Sequence, residues 1–479
     1  MLASKLLMEE YNLDKDIEIT GIVYDSRQTV PGNVFVCIKG YEQDGHKYAK
    51  MAEEMGASLI VAQDRIDVDI PVCYVDDCRK TIARMACRFY DHPSEKFKLV
   101  GVTGTNGKTT VTYLLRSILE TAGKKVGIIG TNENVIGDKI LLTKSTTPTT
   151  PNSLELQKLF SEMVDEGAEY VVMEVSSHAL FLDRVLGCAY EVGVFTNLTQ
   201  DHLDFHKTME NYMEAKAMLF DISAKGAINK DDEYGKKILK KHENSDILTY
   251  AINEEADLVA KNINITSRGV TFDVEYKGMV YPMNLCIPGK FSVYNALSAI
   301  SCAIALNIDM ETICKGVKAA KGVMGRVEVV PTDTDYTVII DYAHTPDGLE
   351  NIINTVSEYA EGKVITLFGC GGDRDNTKRA IMGEIAGKLS DFTIITSDNP
   401  RTENPESIIA EIEEGMKRTN GEYTVIVNRR EAIDYALKNA KSGDVIILAG
   451  KGQETYQIIG KEKFDFDERV VVWECLNNS

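Results

Sequence analysis

No stretch of the sequence is apolar for the roughly 20 consecutive residues that a membrane-spanning helix needs. Residues 1–5 also lack the order of a secretion signal, in which basic residues precede an apolar segment. The sequence thus shows neither usual sign of export or insertion. We therefore expect a cytoplasmic protein that does not insert into membranes.

Cysteine is present, but never in the paired spacing of redox or zinc sites. None of the ten cysteines forms a C-x-x-C pair, and some, such as Cys302 and Cys314, lie in apolar stretches with helical periodicity. Such positions favour reduced, buried thiols over disulfides or a zinc site.

Basic residues are in deficit, with 53 Lys and Arg against 73 Asp and Glu, so that the net charge is −20. A protein that binds nucleic acid broadly needs a basic face to displace the counterions of the phosphates. We expect no nucleic-acid partner. Anionic ligands must then be bound by local lysines, arginines and helix N-termini.

The chain has 479 residues, which exceeds a single ordinary core because a domain takes roughly 150 residues. Strand-like and helix-like segments alternate along it, which predicts an α/β protein. We expect three domains: a small N-terminal α/β domain over residues 1–96, a central parallel-sheet domain with a phosphate-binding loop over 97–325, and a C-terminal Rossmann-like domain over 326–479.

A phosphate-binding loop is the clearest local signal. Residues 98–110 run from an apolar strand through a glycine-rich turn into a helix-like segment. We assign Gly101, Gly107, Lys108 and Thr109 as its defining residues, since glycines let backbone N–H groups surround phosphate oxygens and the lysine neutralises terminal phosphates. Thr109 is expected to hold Mg²⁺.

Polar residues at later strand ends complete the candidate chemistry of the central domain. Glu174 ends a buried-looking strand at the edge where ligands gather in such sheets, so it can reach Mg²⁺ beside the loop. Residues 199–206 contain two histidines and two carboxylates, and for His202 functional and structural interpretations stay equally open.

A GTPase interpretation competes here, because Asn229-Lys230-Asp231-Asp232 fits the N-K-x-D pattern associated with guanine recognition. No D-x-x-G stands at a strand end between the loop and this tetrapeptide. We therefore interpret these residues as a turn after a strand.

Polar clusters also follow strands in the two outer domains. Near the N-terminus, Asp25-Ser26-Arg27 and Asp44-Gly45-His46 are most simply turns or helix caps. Four clusters in the last domain suit a small zwitterion, and the G-x-G-G at 369–372 is best interpreted as a tight turn because it lacks the G-x-G-x-x-G spacing. These four clusters are residues 341–347, 369–375, 397–401 and 449–454.

Together the motifs resemble the Mur ligase family, ATP-dependent enzymes that extend the peptide of the bacterial cell-wall precursor. The resemblance covers essentially the whole chain and is closest to the branch that adds meso-diaminopimelate to UDP-N-acetylmuramoyl-L-alanyl-D-glutamate. It is carried by residues 104–110 (GTNGKTT), 173–178 (MEVSSH), 196–198 (TNL), 201–204 (DHLD), 325–328 (GRVE), 341–347 (DYAHTPD) and 398–401 (DNPR).

The resemblance implies sites for ATP and Mg²⁺. Glu174 and Thr109 match the ligands of one Mg²⁺, while His202 and Lys216 match the second metal region, in which the family's lysine is carbamylated. Lys108 is implied to stabilise the transferring phosphoryl group. The positions that match ATP contacts are Gly104, Thr105, Asn106, Gly107, Lys108, Thr109, Thr110, Asn295, Arg326 and Asp341.

The resemblance also implies where the other two substrates bind. Arg401 suits an amino acid with a second carboxylate, because a guanidinium can bind a carboxylate through two parallel hydrogen bonds. Matches to precursor contacts are Ser26, Thr146, Thr147, Ser176 and Arg184. Matches to diaminopimelate contacts are Arg379, Asp398, Asn399, Pro400, Arg401, Gly450 and Glu454.

Two positions depart from the family pattern, Leu182 where glutamine is common and Gln453 where histidine is usual.

The implied reaction forms an acyl phosphate on the D-glutamyl carboxylate, which the amine then attacks. The protein is expected to be a monomer. The sequence leaves four alternative functions open: a lysine-adding relative, a folylpolyglutamate-synthase-like ligase, a GTPase-like switch and a nucleotide-binding scaffold.

Overall fold

The computed structural model describes residues 1–40, 43–143 and 145–477, in which helices and strands alternate along the chain. Over these ranges, none of the helices combines the length and the apolar character needed to cross a membrane.

The helices are short to medium in length. They are α1 (Ala3–Leu7), α2 (Ala49–Glu54), α3 (Cys78–Phe89), α4 (Lys108–Thr121), α5 (Ser153–Asp165), α6 (Ser177–Phe181), α7 (Leu203–His206), α8 (Met209–Asp221), α9 (Glu233–Lys241), α10 (Lys290–Ala305), α11 (Met310–Ala319), α12 (Pro346–Ser357), α13 (Lys378–Leu389), α14 (Pro405–Met416), α15 (Arg429–Asn439) and α16 (Glu468–Asn477).

The strands are β1 (Gly21–Val23), β2 (Asn33–Val36), β3 (Leu59–Ala62), β4 (Val72–Tyr74), β5 (Lys98–Thr103), β6 (Val126–Ile129), β7 (Asn134–Ile136), β8 (Lys139–Ile140), β9 (Tyr170–Glu174), β10 (Tyr190–Phe195), β11 (Ser223–Asn229), β12 (Ile247–Ala251), β13 (Leu258–Thr266), β14 (Gly269–Tyr276), β15 (Met279–Leu285), β16 (Glu328–Val330), β17 (Thr337–Asp341), β18 (Val364–Phe368), β19 (Phe392–Ile395), β20 (Tyr423–Val425), β21 (Val445–Ala449), β22 (Tyr456–Ile459) and β23 (Glu462–Asp465).

The chain forms two compact units, residues 1–259 with 297–316, and residues 260–296 with 317–479. The three predicted domain ranges stay a prediction. Within the first unit, β1 to β4 form a parallel sheet in sequence order. Strands β2 and β3 are buried along their whole length, as expected of a parallel sheet covered on both faces.

The larger sheet of the first unit is organised around β5. Its order is β8-β7-β6-β9-β5-β10-β11-β12, followed by the first residues of β13. Seven of these strands run parallel, namely β6, β9, β5, β10, β11, β12 and the start of β13. Strands β7 and β8 pair antiparallel at one edge. Since β5 lies between β9 and β10, the loops after these three strands meet at one edge, where open α/β sheets bind ligands.

The second unit contains a six-stranded sheet in the order β16-β17-β21-β18-β19-β20, parallel except for β16. Buried apolar side chains cover both of its faces, including Ile339 and Ile447 on one and Ile340 and Leu448 on the other. Because successive side chains of a strand point to opposite faces, β17 and β21 contribute apolar residues to the hydrophobic core on each face of the sheet.

The predicted alternation of strands and helices is present, including the strand and the helix on either side of the phosphate-binding loop and the strand that ends in Glu174. Two antiparallel hairpins, β14–β15 and β22–β23, were not predicted. Strand β23 is exposed along its whole length and β15 along much of it, so their sequences carry little of the apolar patterning on which such predictions depend.

Candidate active site

The phosphate loop follows β5 and leads into α4. Its two glycines, Gly104 and Gly107, have φ angles of 147° and 88°, and a Cβ on Gly104 would lie 1.9 Å from Thr196 Oγ1. Only glycine fits there. The assignment of Gly101 to the loop was wrong, because Gly101 lies inside β5, six residues before Gly107.

Hydrogen bonds from residues outside the phosphate-binding motif hold the phosphate-binding loop in place. Thr105 N–H donates to the Asn197 carbonyl oxygen at 2.8 Å, and Asn106 N–H donates to Asn197 Oδ1 at 3.0 Å. Thr196 Oγ1 donates to the Asn106 carbonyl oxygen at 2.6 Å. The loop after β10 therefore fixes the loop after β5. The sequence signals for both residues were their position directly after a strand and their place in the segment 196–198 that carries the family resemblance.

Two lysines meet at the same loop carbonyl. Lys108 Nζ donates to the carbonyl oxygens of Gly104 at 3.0 Å and Thr105 at 2.9 Å, and Lys216 Nζ donates to that of Gly104 at 2.8 Å. Burial holds the pKa of Lys216 well below its usual value, and the ammonium of Lys108 lowers it further. Lys216, whose sequence setting alone suggests a solvated helix residue, is buried at the predicted site.

Oxygen atoms that could bind a metal ion surround Glu174 at the end of β9. Thr109 Oγ1 donates to Glu174 Oε1 at 2.9 Å, and Thr131 donates to the carboxylate from both N–H, at 2.9 Å, and Oγ1, at 3.1 Å. A Cβ on Gly130 would lie 2.4 Å from Glu174 Oε1. This compact group of hydroxyl and carboxylate oxygens fits Mg²⁺, which prefers hard oxygen donors. Thr131 was missed from the sequence.

His202 lies in a cluster of rings next to Lys216. It adopts a left-handed conformation with φ 51°, and its ring centroid is 4.9 Å from that of His178 and 6.1 Å from that of Tyr212. Lys216 Nζ lies 4.6 Å from the centroid of the same Tyr212 ring. His202 and Lys216 thus both lie close to the ring of Tyr212. Their role as metal ligands stays a prediction.

A cavity of about 560 Å³ opens beside the N-terminal sheet. Both of the N-terminal clusters are caps, since the carboxylates of Asp25 and Asp44 accept hydrogen bonds from Arg27 N–H and His46 N–H at 3.0 Å. Both clusters also contribute to the cavity wall, so the cap interpretation and the binding interpretation are compatible. The wall includes Asp25, Ser26, Arg27, Gly45, Leu182 and Arg184.

The other predicted precursor contacts converge on Thr150, a fully buried residue that sequence reasoning missed. Its Oγ1 donates to the Glu174 carbonyl oxygen at 2.9 Å and accepts from Ser176 N–H at 3.0 Å. Its carbonyl oxygen accepts from Thr147 Oγ1 at 2.9 Å and Arg184 Nη1 at 3.2 Å.

Thr146 lies apart from this group. Its Oγ1 is 3.1 Å from Tyr24 Oη and 2.9 Å from Glu155 Oε1. These three residues line a second cavity of about 420 Å³ next to the first. Burial, followed by the hydrogen bond to Glu155, raises the pKa of Tyr24 to about 12.

In the second unit, two strand ends bring Asp341 and Gly450 together, since Gly450 N–H donates to the Asp341 carbonyl oxygen at 3.0 Å. The buried Asp341 carboxylate accepts from Val327 N–H and Ala343 N–H, both at 2.8 Å, and burial raises its pKa. Arg326 lies 5.5 Å from the centre of the Tyr342 ring, and its Nε finds no hydrogen-bond partner among the described residues. Asn295 is buried in α10.

The cluster at residues 398–401 is joined to the loop after β21. Asn399 Nδ2 donates to Glu454 Oε2 at 2.8 Å, and Asn399 Oδ1 accepts from Ile458 N–H at 2.9 Å. A Cβ on Gly450, whose φ is 111°, would lie 2.7 Å from Asp398 Oδ2. Pro400 is buried beside Asn399. Five of the predicted amino-acid contacts, Asp398, Asn399, Pro400, Gly450 and Glu454, are thus adjacent.

The two arginines assigned to the amino acid are in different environments. Arg401 is half-buried, has φ 50°, and donates from Nη1 to the Gly372 carbonyl oxygen at 2.8 Å. Arg379 is almost completely buried and forms a two-point ion pair with Glu403 at 2.9 and 3.0 Å. Its Nη2 also donates to the Gly371 carbonyl oxygen at 3.3 Å.

The N-K-x-D tetrapeptide is structural, as expected. Asn229 ends β11 and donates from Nδ2 to the Thr196 carbonyl oxygen at 2.9 Å, while Asp232 caps α9 through Tyr234 N–H and Gly235 N–H.

Models of three successive Mur ligase segments match this chain. The family's catalytic domain matches residues 18–90, the Mur ligase middle domain matches 102–303, and the glutamate ligase domain matches 325–452. The chain belongs to the Mur ligase family. The predicted family, the α/β class and the identification of an enzyme that acts as a ligase are thereby confirmed.

Individual relatives of this Mur ligase cover nearly its whole length. It is 51% identical over 468 residues, 97% of its length and 96% of the relative's, to UDP-N-acetylmuramoyl-L-alanyl-D-glutamate–2,6-diaminopimelate ligase 1 of Clostridium acetobutylicum. It is also similar to a solved structure of a UDP-N-acetylmuramoyl-L-alanyl-D-glutamate–2,6-diaminopimelate ligase, with a TM-score of 0.76 and 31% identity over 98% of both chains.

Folylpolyglutamate synthase of Mycobacterium tuberculosis shares the fold at a TM-score of 0.59. The identity is 17%, and the match covers 78% of this chain and 92% of the synthase. This likeness concerns the fold alone.

Proposed function

We propose that this Mur ligase uses ATP and Mg²⁺ to join meso-2,6-diaminopimelate to UDP-N-acetylmuramoyl-L-alanyl-D-glutamate, as a step of peptidoglycan precursor synthesis. The observation that carries the proposal is the 51% identity, over 97% of the chain, to a ligase named for those two substrates. We further propose that it acts as a monomer in the cytoplasm.

The proposed chemistry begins with activation of a carboxylate. The D-glutamyl side-chain carboxylate attacks the γ-phosphorus of ATP, ADP leaves, and an acyl phosphate remains. The amine of diaminopimelate then attacks the acyl carbon and releases phosphate, so that an amide bond replaces the acyl–phosphate bond. Lys108 and the backbone N–H groups of residues 104–110 stabilise the charge on the transferring phosphoryl group.

Thr109 and Glu174 are proposed to hold one Mg²⁺, and His202 with carbamylated Lys216 a second. When bound, these ions would neutralise charge on the phosphate oxygens. The lowered pKa of Lys216 supports carbamylation, because the neutral amine is the form that adds CO₂. Asn295, Arg326 and Asp341 are proposed as further ATP contacts.

The precursor is proposed to bind through Ser26, Arg184 and the threonines at 146 and 147, with Ser176 near the dipeptide. Leu182 lines the cavity with its apolar side chain, so it supplies no hydrogen bond to the ligand.

Diaminopimelate is proposed to bind at Asp398, Asn399, Arg401, Gly450 and Glu454. Arg401 provides the partner for the carboxylate of the far amino-acid centre. Arg379 stays a proposed contact of the amino acid; it also pairs with the carboxylates of Glu403 and Glu411 and donates to the Gly371 carbonyl oxygen.

One assay tests the proposal. ADP release is measured with the UDP-linked dipeptide, ATP and Mg²⁺, comparing meso-diaminopimelate with L-lysine at equal concentrations. The proposal expects release that depends on all three substrates and is at least tenfold faster with diaminopimelate, because only that amino acid has a second carboxylate for Arg401 to bind. Equal rates, or faster release with lysine, would contradict it.

A further inference from the structure

Lys451 places a fully buried ammonium group among three of the proposed amino-acid contacts. Its Nζ lies 3.2 Å from Asn399 Oδ1, 3.4 Å from Glu454 Oε2 and 3.7 Å from Asp398 Oδ1. The ring centroids of Tyr456 and Phe466 are each 6.0 Å from it. One buried cation therefore joins the cluster after β19 to the loop after β21.

Stability is a weak reason for a lysine at this position. Removing an ammonium from water costs several kcal/mol, and replacing a buried ion pair by apolar residues of similar volume is often neutral or stabilising. The charge of Lys451 instead changes the electrostatic potential at the site where the amino-acid substrate, itself charged, is proposed to bind.

The local charges distinguish two similar amino acids. Asp398 and Glu454 contribute two acidic groups and Lys451 one basic group, so these three side chains together carry one net negative charge. Arg401 adds a positive charge, which is assigned to the second carboxylate of the ligand. At its far end, meso-diaminopimelate carries an ammonium and a carboxylate, whereas L-lysine carries an ammonium alone. The far end of lysine is thus more positive by one charge. Without Lys451 the site would be more negative by one charge and would attract lysine more strongly.

We propose that Lys451 is a specificity-determining residue, whose charge disfavours a diamino acid that lacks the second carboxylate. In addition it positions Asn399 and Glu454. Arg401 selects for the carboxylate, and Lys451 selects against an excess of positive charge. This inference rests on the proposed function, because it concerns the choice between two amines at the same site.

The variant Lys451→Met tests the inference. The ratio of kcat/KM for diaminopimelate to kcat/KM for L-lysine is expected to fall by about tenfold or more, from the loss of one unit charge a few ångströms from the ligand. Damage that was only structural would lower both values together. The matched control is Lys388→Met, which removes the same charge from an exposed lysine paired with Glu384 and leaves the ratio unchanged.

Two further variants cover a folding defect in Lys451→Met. Lys451→Arg keeps the charge and is expected to keep the ratio. Lys451→Gln removes the charge but keeps a side chain that can donate to Asn399 Oδ1, and it is expected to lower the ratio as Lys451→Met does. A ratio that stays constant across Lys451→Met, or that follows thermal stability instead of charge, overturns the inference.

The failures of the two proposals are distinguishable. If the unmodified protein uses neither amine or prefers lysine, the proposed function fails. If it prefers diaminopimelate and the charge variants keep that preference, only the role of Lys451 fails.

Discussion

Thr150 contributes no predicted contact with a substrate, yet its hydroxyl joins the end of β9 to the start of α6. The variant Thr150→Val keeps the shape of this fully buried side chain, but it leaves the partly buried Ser176 N–H without its acceptor. We expect a loss of about 2 kcal/mol in the free energy of unfolding, the usual cost of an unpaired buried polar group.

Because Ser176 is a proposed precursor contact, Thr150→Val should also raise KM for the UDP-linked dipeptide more than KM for ATP. Chemical denaturation and steady-state kinetics measure the two effects. Thr150→Ser retains the hydroxyl and serves as the control. Equal stability of the Val and Ser variants would contradict the expected role of the hydroxyl.

His206 gives the protein a predictable response to acid. Burial, with the positive charges of neighbouring groups, lowers its pKa to about 4, and its Nε2 lies 2.9 Å from Ser177 Oγ. The unfolded chain therefore binds a proton at His206 more readily than the folded chain does. Stability from this residue is complete above the unfolded pKa of about 6.5 and is lost as the pH falls towards 4.

The variant His206→Phe should lose less stability than the unmodified protein between pH 7 and pH 5, because phenylalanine keeps the ring but cannot take up a proton. Melting temperatures across this range measure the effect. His92→Asn, at an exposed histidine, is the control. An identical pH dependence in His206→Phe and the unmodified protein would exclude this source of acid sensitivity.

At the scale of elements, the C-terminal helix α16 is held by a buried ion pair. Arg429 at the start of α15 donates from Nε to Glu468 Oε1 at 2.8 Å and from Nη2 to the Ala449 carbonyl oxygen at 2.9 Å. Both side chains are completely buried. Since Ala449 ends β21 and precedes Gly450, the pair also fixes the start of a loop assigned to the amino acid.

The variant Glu468→Gln should lower the free energy of unfolding by about 3–5 kcal/mol, since it leaves the Arg429 charge buried without a counter-charge. Glu474→Gln removes the same charge from an exposed pair with Arg430 and should cost less than about 1 kcal/mol. Denaturant unfolding measures both. The double variant Arg429→Met/Glu468→Leu should recover most of the loss, and a larger loss in the double variant would contradict the argument.

Elements also divide into those that the sequence could predict and those that it could not. Strand β9 is a continuous run of buried residues that ends in Glu174, a pattern that predicts both a parallel strand and a ligand at its end. The hairpin β22–β23 has no such pattern, yet Ile458 N–H and Gln457 Nε2 from this hairpin donate to Asn399 and Asp398. Its role depends on contacts with residues about 60 positions earlier in the chain.

At the scale of the whole molecule, the net charge of −20 coexists with proposed ligands that are themselves anionic. Cations at the candidate sites are local to each unit: in the first unit Lys108 and Lys216 share the Gly104 carbonyl oxygen, and in the second unit Lys451 is buried among acidic groups. We expect helix N-termini and loop N–H groups to supply further positive potential for these ligands.

The sequence by itself determined the family, the α/β class and most strands and helices, because periodicity, glycine turns and ordered motifs are local properties of the chain. Only the tertiary structure decided which side chains meet. It showed that Lys216 contacts the phosphate loop and that the Thr150 hydroxyl contacts the end of β9. It also showed that Gly101 lies inside β5 and that Arg379 forms an ion pair with Glu403. These outcomes depend on burial and on pairing between distant strands, and neither leaves a local pattern in the sequence.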